Sequence, residues 1–170
     1  MSDQTNEFDQ PIGFWVPDWE PCEPPPHTTL EGETCTLEPL DVGHTVELFS
    51  AYTKGESDPL WTYMPYGPFT SLAEYTIWIK EHAASKDPLF YTILAGGDSR
   101  PLGISSYLRI APPFGSIEVG HINYALALQK TTAATEAMFL MMRHAFDDLG
   151  YRRYEWKCDA LNAGSLSPFV

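Results

Sequence analysis

Apolar residues recur along this chain with two different periods. A period of two marks strands, and a spacing of three to four marks amphipathic helices. The first regular stretch is residues 34–40, where Cys35 and Leu37 alternate with polar positions and predict a strand. Residues 42–54 carry Val42, Val46, Phe49 and Tyr52 at helical spacing, and the Gly- and Pro-containing segment 55–59 ends that helix. Residues 71–84 repeat the helical pattern with Leu72, Tyr75, Ile79 and Ala83. Between the two lies an aromatic loop, WTYMPYGPF, at 61–69. Three strands follow at 89–95, 102–110 and 116–126, joined by the short turns GGDSR and APPFG, which predicts an antiparallel meander. Residues 134–149 predict a helix with Ala134, Met138, Met141, Ala145 and Leu149 on one face and Gly150 as its C-cap. The last strand is 151–158, with Tyr154, Trp156 and Cys158 facing inward. A strand, a connecting helix and a strand imply a right-handed parallel crossover, so the predicted fold is α/β with a mixed, mostly antiparallel central sheet.

The third meander strand breaks its own alternation. Ile117 and Val119 occupy odd positions, whereas Ile122, Tyr124 and Leu126 occupy even ones. One extra residue at Gly120-His121 restores the phase, which is what a β-bulge supplies. A bulge also re-aims the strand and leaves backbone amides unpaired for a ligand.

Charge divides the chain. Its 170 residues suit one domain, and the formal charge is −13. Residues 1–53 hold eleven acids and no Lys or Arg, while residues 54–170 hold twelve acids and ten bases. Residues 1–32, with five prolines between 17 and 26, read as an acidic arm packed by Phe14, Trp15 and Trp19. Residues 33–170 read as the folded domain. No basic stripe exists for nucleic acid, and no apolar run reaches the ~18 residues a membrane helix needs. The first residues lack the basic and apolar regions of a secretory signal. Cys22, Cys35 and Cys158 form neither a disulfide framework nor a zinc pattern, so a reducing, cytoplasmic setting without a metal is expected.

The strongest local signal for chemistry is the small-residue loop at 128–137, which opens directly into a helix. The first N–H groups of a helix lack internal partners, and the helix dipole favours an anion there, so the segment suits a pyrophosphate. Lys130 offers charge, and Thr131, Thr132 and Thr135 offer hydroxyls; equally, the threonines suit helix N-capping. Arg152 and Arg153 are expected to make the neighbourhood positive. His144 and Asp147 share a helix face as a surface pair, and Cys158 reads as a small core residue.

With these motifs in order, the chain resembles the GNAT superfamily of N-acetyltransferases, in the branch that contains ribosomal-protein N-acetyltransferases. The family's cofactor loop reads Gln/Arg-x-x-Gly-x-Gly/Ala; here Gln129 and Ala134 match, and Thr132 stands for the middle glycine. Thr135-Glu136-Ala137 resembles the branch's TEA. Ile117 to His121 resembles its strand ending in an aromatic. Gly150 to Ser165 resembles its strand and the N-x-x-S that opens the next helix.

The resemblance implies acetyl-CoA as cosubstrate. Pantetheine would lie along the backbone of Ile122, Asn123 and Tyr124. Pyrophosphate would lie on the amides of Gln129, Lys130, Thr131, Thr132, Ala133, Ala134 and Thr135. Asn162 would bond the pantetheine or the acceptor side. Glu118 would be the general base, with His121 the alternative, for direct transfer of acetyl to a protein α-amino group or a small-molecule amine. A homodimer is compatible with this reading.

In the family a further helix and two strands follow; here the chain continues from Leu166 only to Val170, with Pro168 interrupting. The domain is therefore expected to be truncated, with its last strands missing. Two function classes follow: an N-acetyltransferase, or a non-catalytic relative that binds CoA or a partner, or is a mis-predicted gene product.

Overall fold

The computed structural model describes residues 4–14, 16–55 and 57–166; Trp15, Pro168 and Val170, named above, lie outside the described residues. A two-residue hairpin, β1 (Gln4–Thr5) with β2 (Pro11–Ile12), stands apart from the main sheet. The main sheet has β3 (Leu30–Glu31), β4 (Cys35–Pro39), β5 (Leu89–Ala95), β6 (Arg100–Ala111), β7 (Ser116–Tyr124) and β8 (Arg153–Trp156), hydrogen-bonded in that order. All neighbours are antiparallel except β7 and β8, which run parallel. The pattern anticipated five of these six strands. The sixth, β3, is two residues long, too short to show an alternation.

Helices cover both faces. α1 (Thr45–Tyr52) follows a 3₁₀ turn, Val42–His44, capped by the Asp41 carboxylate, which accepts from the Gly43 amide at 2.7 Å. α2 (Leu72–Ala83) starts where the Ser71 hydroxyl accepts from the Glu74 amide. On the face beneath α1 and α2, Leu48, Tyr52, Tyr75, Ile79, Phe90 and Ile104 form one core. α3 (Thr132–Arg143) connects β7 to β8 across the other face, where Leu37, Tyr91, Ile117, Val119, Leu140 and Met141 form the second. Predicted to continue to 149, α3 instead widens after Arg143 into a π turn, His144–Asp148, and the Gly150 residue (φ 71°) leads into β8. A single turn, α4 (Ala163–Leu166), follows β8.

The arm is anchored as well as irregular. Trp19 Nε1 donates to the Pro113 carbonyl at 3.0 Å, the Cys22 amide donates to Pro112, and the Tyr151 hydroxyl donates to Glu23. The Arg152 guanidinium lies 5.2 Å from the Trp19 ring centroid. These contacts hold the arm against the two turns from which β7 and β8 begin.

Candidate active site

The anticipated bulge is present. Ser106 on β6 faces Gly120, but Ile104 faces Asn123, so His121 and Ile122 together oppose Ser105. His121 takes a left-handed backbone conformation, φ 51°, as the inserted residue. On its other side β7 pairs with β8 only from Ser116 to Val119. Beyond Val119 the two parallel strands separate, and β7 carries its bend just past that point. The β7 edge at Ile122, Asn123 and Tyr124 therefore has no strand partner on that side among the described residues.

Three polar side chains line the α1–α2 face of β7 around the bend. Glu118 lies on it because Ile117 and Val119 point into the α3-side core. Its carboxylate is nearly buried and held twice, by Arg109 Nη1 at 2.6 Å and by Lys157 Nζ at 2.5 Å. Burial alone would raise its pKa, but the hydrogen bonds from Lys157 and Arg109 prevail and lower it. Arg109 is itself built into place. It sits at a second bulge with φ 46°, and the Asp87 carboxylate accepts the amides of Arg109 and Ile110 at 2.9 and 3.1 Å. His121 stacks on Tyr66, and its Nδ1 lies 3.1 Å from the Tyr66 hydroxyl. Burial, with His82 and Arg109 nearby, lowers the imidazole pKa below its ordinary 6.5. Asn123 lies on the same face, opposite the core residue Ile104, and is 3% exposed.

The loop into α3 combines both chemistries weighed for it. The Thr131 hydroxyl caps the helix, accepting the Ala134 amide at 3.2 Å and donating to the Leu128 carbonyl. The Gln129 and Thr135 amides also have internal acceptors, Ala125 and Thr131. The amides of Lys130, Thr131, Thr132 and Ala133 have no acceptor among the described residues and form the anion-ready set. Beside them is a cavity of about 510 Å³ lined by Glu33, Thr34, Gly96, Thr131, Thr132 and Ala133. The Gln129 side chain donates to the Tyr124 carbonyl at 3.1 Å and so fixes the exit of β7.

Asn162 Oδ1 caps the last turn by accepting the Ser165 amide, and the Tyr63 hydroxyl donates to the Leu161 carbonyl, tying the aromatic loop to this segment. Arg152 precedes β8 and Arg153 starts it, at the end away from the α3 loop, and they are engaged by Trp19 and by Glu155, so they do not make the loop positive. His144 is buried and pairs at 2.8 Å with Asp148, its i+4 neighbour, rather than with Asp147. Cys158 lies past the end of β8 and is half-exposed. No group of three or more His, Cys, Asp or Glu residues suited to a metal occurs among the described residues.

Sequence reasoning passed over Arg109, Lys157 and Tyr66. Their roles depend on which strands and loops meet, and the phase flip at residue 120 was the one local signal that pointed at this region. Glu136, in the TEA motif, proves to be a tie. Its carboxylate accepts the amides of Glu33, Thr34 and Cys35 and the Thr34 hydroxyl, at 2.6 to 3.1 Å.

A curled mixed sheet opening at a parallel strand pair beside a helix N-terminus is the arrangement of an acyltransferase fold. The acetyltransferase (GNAT) domain profile matches residues 35–167, and the chain belongs to this family of acetyltransferases. It is 35% identical to a GCN5-related N-acetyltransferase from Brucella melitensis (TM-score 0.87), with 90% of this chain and 70% of that one covered. It is also 35% identical to a GNAT-family protein of Chromobacterium violaceum ATCC 12472 (TM-score 0.82; 94% and 79% covered). At 16% identity it shares its fold with the microcin C7 self-immunity acetyltransferase solved with acetyl-CoA and AMP (TM-score 0.68; 80% and 76% covered). No curated protein sequence matches it significantly. No helix among the described residues is long and apolar enough to cross a membrane.

Proposed function

We propose that this protein is an acetyl-CoA-dependent N-acetyltransferase that transfers acetyl directly to a primary amine, on a protein N-terminus or a small molecule. The observation that carries the reading is the junction of two ligand-ready backbone segments. The unpaired β7 edge suits the pantetheine arm, whose amides can add to it as a strand would. The free amides of Lys130, Thr131, Thr132 and Ala133 suit the pyrophosphate. Asn162 is assigned to the pantetheine or acceptor side. Acetyl-CoA would supply the thioester: a C–N bond forms, the C–S bond breaks, and CoA departs as the thiol.

The acceptor arrives as an ammonium and must lose a proton first. Of the two candidate bases, His121 fits the task better. Its lowered pKa keeps it neutral near pH 7 and able to accept a proton. Glu118 has both oxygens committed to cations, which makes it a weak base and a good clasp. The three free cysteines fit a reducing cytoplasmic setting.

An amine screen read by CoA release tests the activity; CoA binding without release for every amine class would favour a binding module. Thr132→Glu tests the loop. A new anion at the first helical turn leaves thermal stability unchanged or slightly raised, while acetyl-CoA affinity falls more than ~10-fold. Equal affinity for both proteins would refute the assignment.

A further inference from the structure

Asn123 is anomalous in this site. It is 3% exposed, yet its Nδ2 has no hydrogen-bond partner among the described residues. The Tyr52 hydroxyl beside it donates to the Asn123 backbone carbonyl at 2.6 Å and leaves the side chain unserved. A buried amide donor left unpaired destabilises a fold, and an apolar residue of similar size would remove that penalty. An apolar residue would also suit a strand position facing Ile104. The position is next to the bulge residues His121 and Ile122, on the face that carries His121 and Glu118.

We propose that the Asn123 carboxamide is a substrate-contacting group whose Nδ2 donates to the carbonyl oxygen of the bound acetyl thioester. The inference rests on the acetyl-CoA reading of the β7 edge and goes beyond it. Backbone groups hold the arm of the cosubstrate, and this side chain recognises the acetyl group itself. Negative charge grows on that oxygen as the amine attacks, so a fixed donor there binds the reacting state better than the ground state.

The test is calorimetric titration of CoA and acetyl-CoA into wild type, Asn123→Val and Asn123→Ala, with thermal melts and turnover on the same samples. Wild type prefers acetyl-CoA to CoA; in both variants that preference falls about fivefold while CoA affinity holds. Turnover falls about 10²-fold, and the Val variant melts at or above the wild-type temperature. A lower melting temperature with unchanged preference and turnover would show a structural amide bonded to buried water and overturn the inference. If wild type binds both ligands equally, the inference falls and the acetyl-CoA reading stands. If it binds neither, both fall.

Discussion

Glu136→Gln is the perturbation for which the structure provides a magnitude. The Glu136 carboxylate joins the N-terminal half of α3 to the β3–β4 turn through four donors. The Thr34 hydroxyl contributes most, then the Glu33 amide, and together with the Thr34 and Cys35 amides they outweigh desolvation and pull the pKa from 4.5 to about 2. At about 1.4 kcal/mol per pH unit this corresponds to roughly 3 kcal/mol of preference for the charged, tied form. The group is half-exposed, and screening reduces the contribution to about 1–2 kcal/mol. The folded-state pKa lies below the unfolded one, so the stabilisation is present in full above pH ~5 and fades as pH falls toward 2. Urea denaturation of wild type and Glu136→Gln at pH 7, 4 and 2.5 measures it. The expected difference is about 1–2 kcal/mol at pH 7, shrinking toward zero at pH 2.5. A difference independent of pH, or one below about 0.5 kcal/mol at pH 7, would refute the electrostatic account. Because Glu33, Thr34 and Thr132 line one cavity, the same variant is expected to bind acetyl-CoA more weakly.

Other expectations concern the face of β7. Replacing His121 with Phe removes the acidic limb of the pH–rate profile, whose midpoint in wild type lies below pH 6.5; a retained limb would exclude His121 as base. Glu118→Gln, by loosening Arg109 and Lys157, slows turnover by the same factor at pH 7 and pH 9 and weakens acetyl-CoA binding; a loss confined to neutral pH would restore Glu118 as the base. Trp19→Ala lowers stability by about 1–2 kcal/mol through the lost ring packing and the Arg152 contact; an unchanged urea midpoint would show the arm contact to be idle.

What was legible in the sequence was periodic. The apolar run at 89–95 located β5 to the residue, and the phase flip at 120 marked the bulge. What was not legible depends on contacts across the chain. Arg109 reads as one cation in a strand, and only the Asp87 cradle and the pairing of β6, β7 and β8 bring it to Glu118. Thr131 reads equally as a cap or a ligand, and it is the cap that leaves its own amide and the amides of Thr132 and Ala133 open. The π turn was not legible because it leaves His144 and Asp148 at an ordinary helical spacing of four.

The arm contacts also have a mechanical consequence. Trp19 and Cys22 grip the turns at the near ends of β7 and β8, whereas the strands part at the far end. From Ser116 to His121 the strand extends roughly 17 Å at about 3.3 Å per residue. A rotation of only about 3° at the gripped end therefore moves the bend by about 1 Å, a displacement large enough to cost on the order of 10²-fold in rate. The proline-rich arm thus sits at the fulcrum of a pair of tongs, and the position of the bend is set at the opposite end of β7.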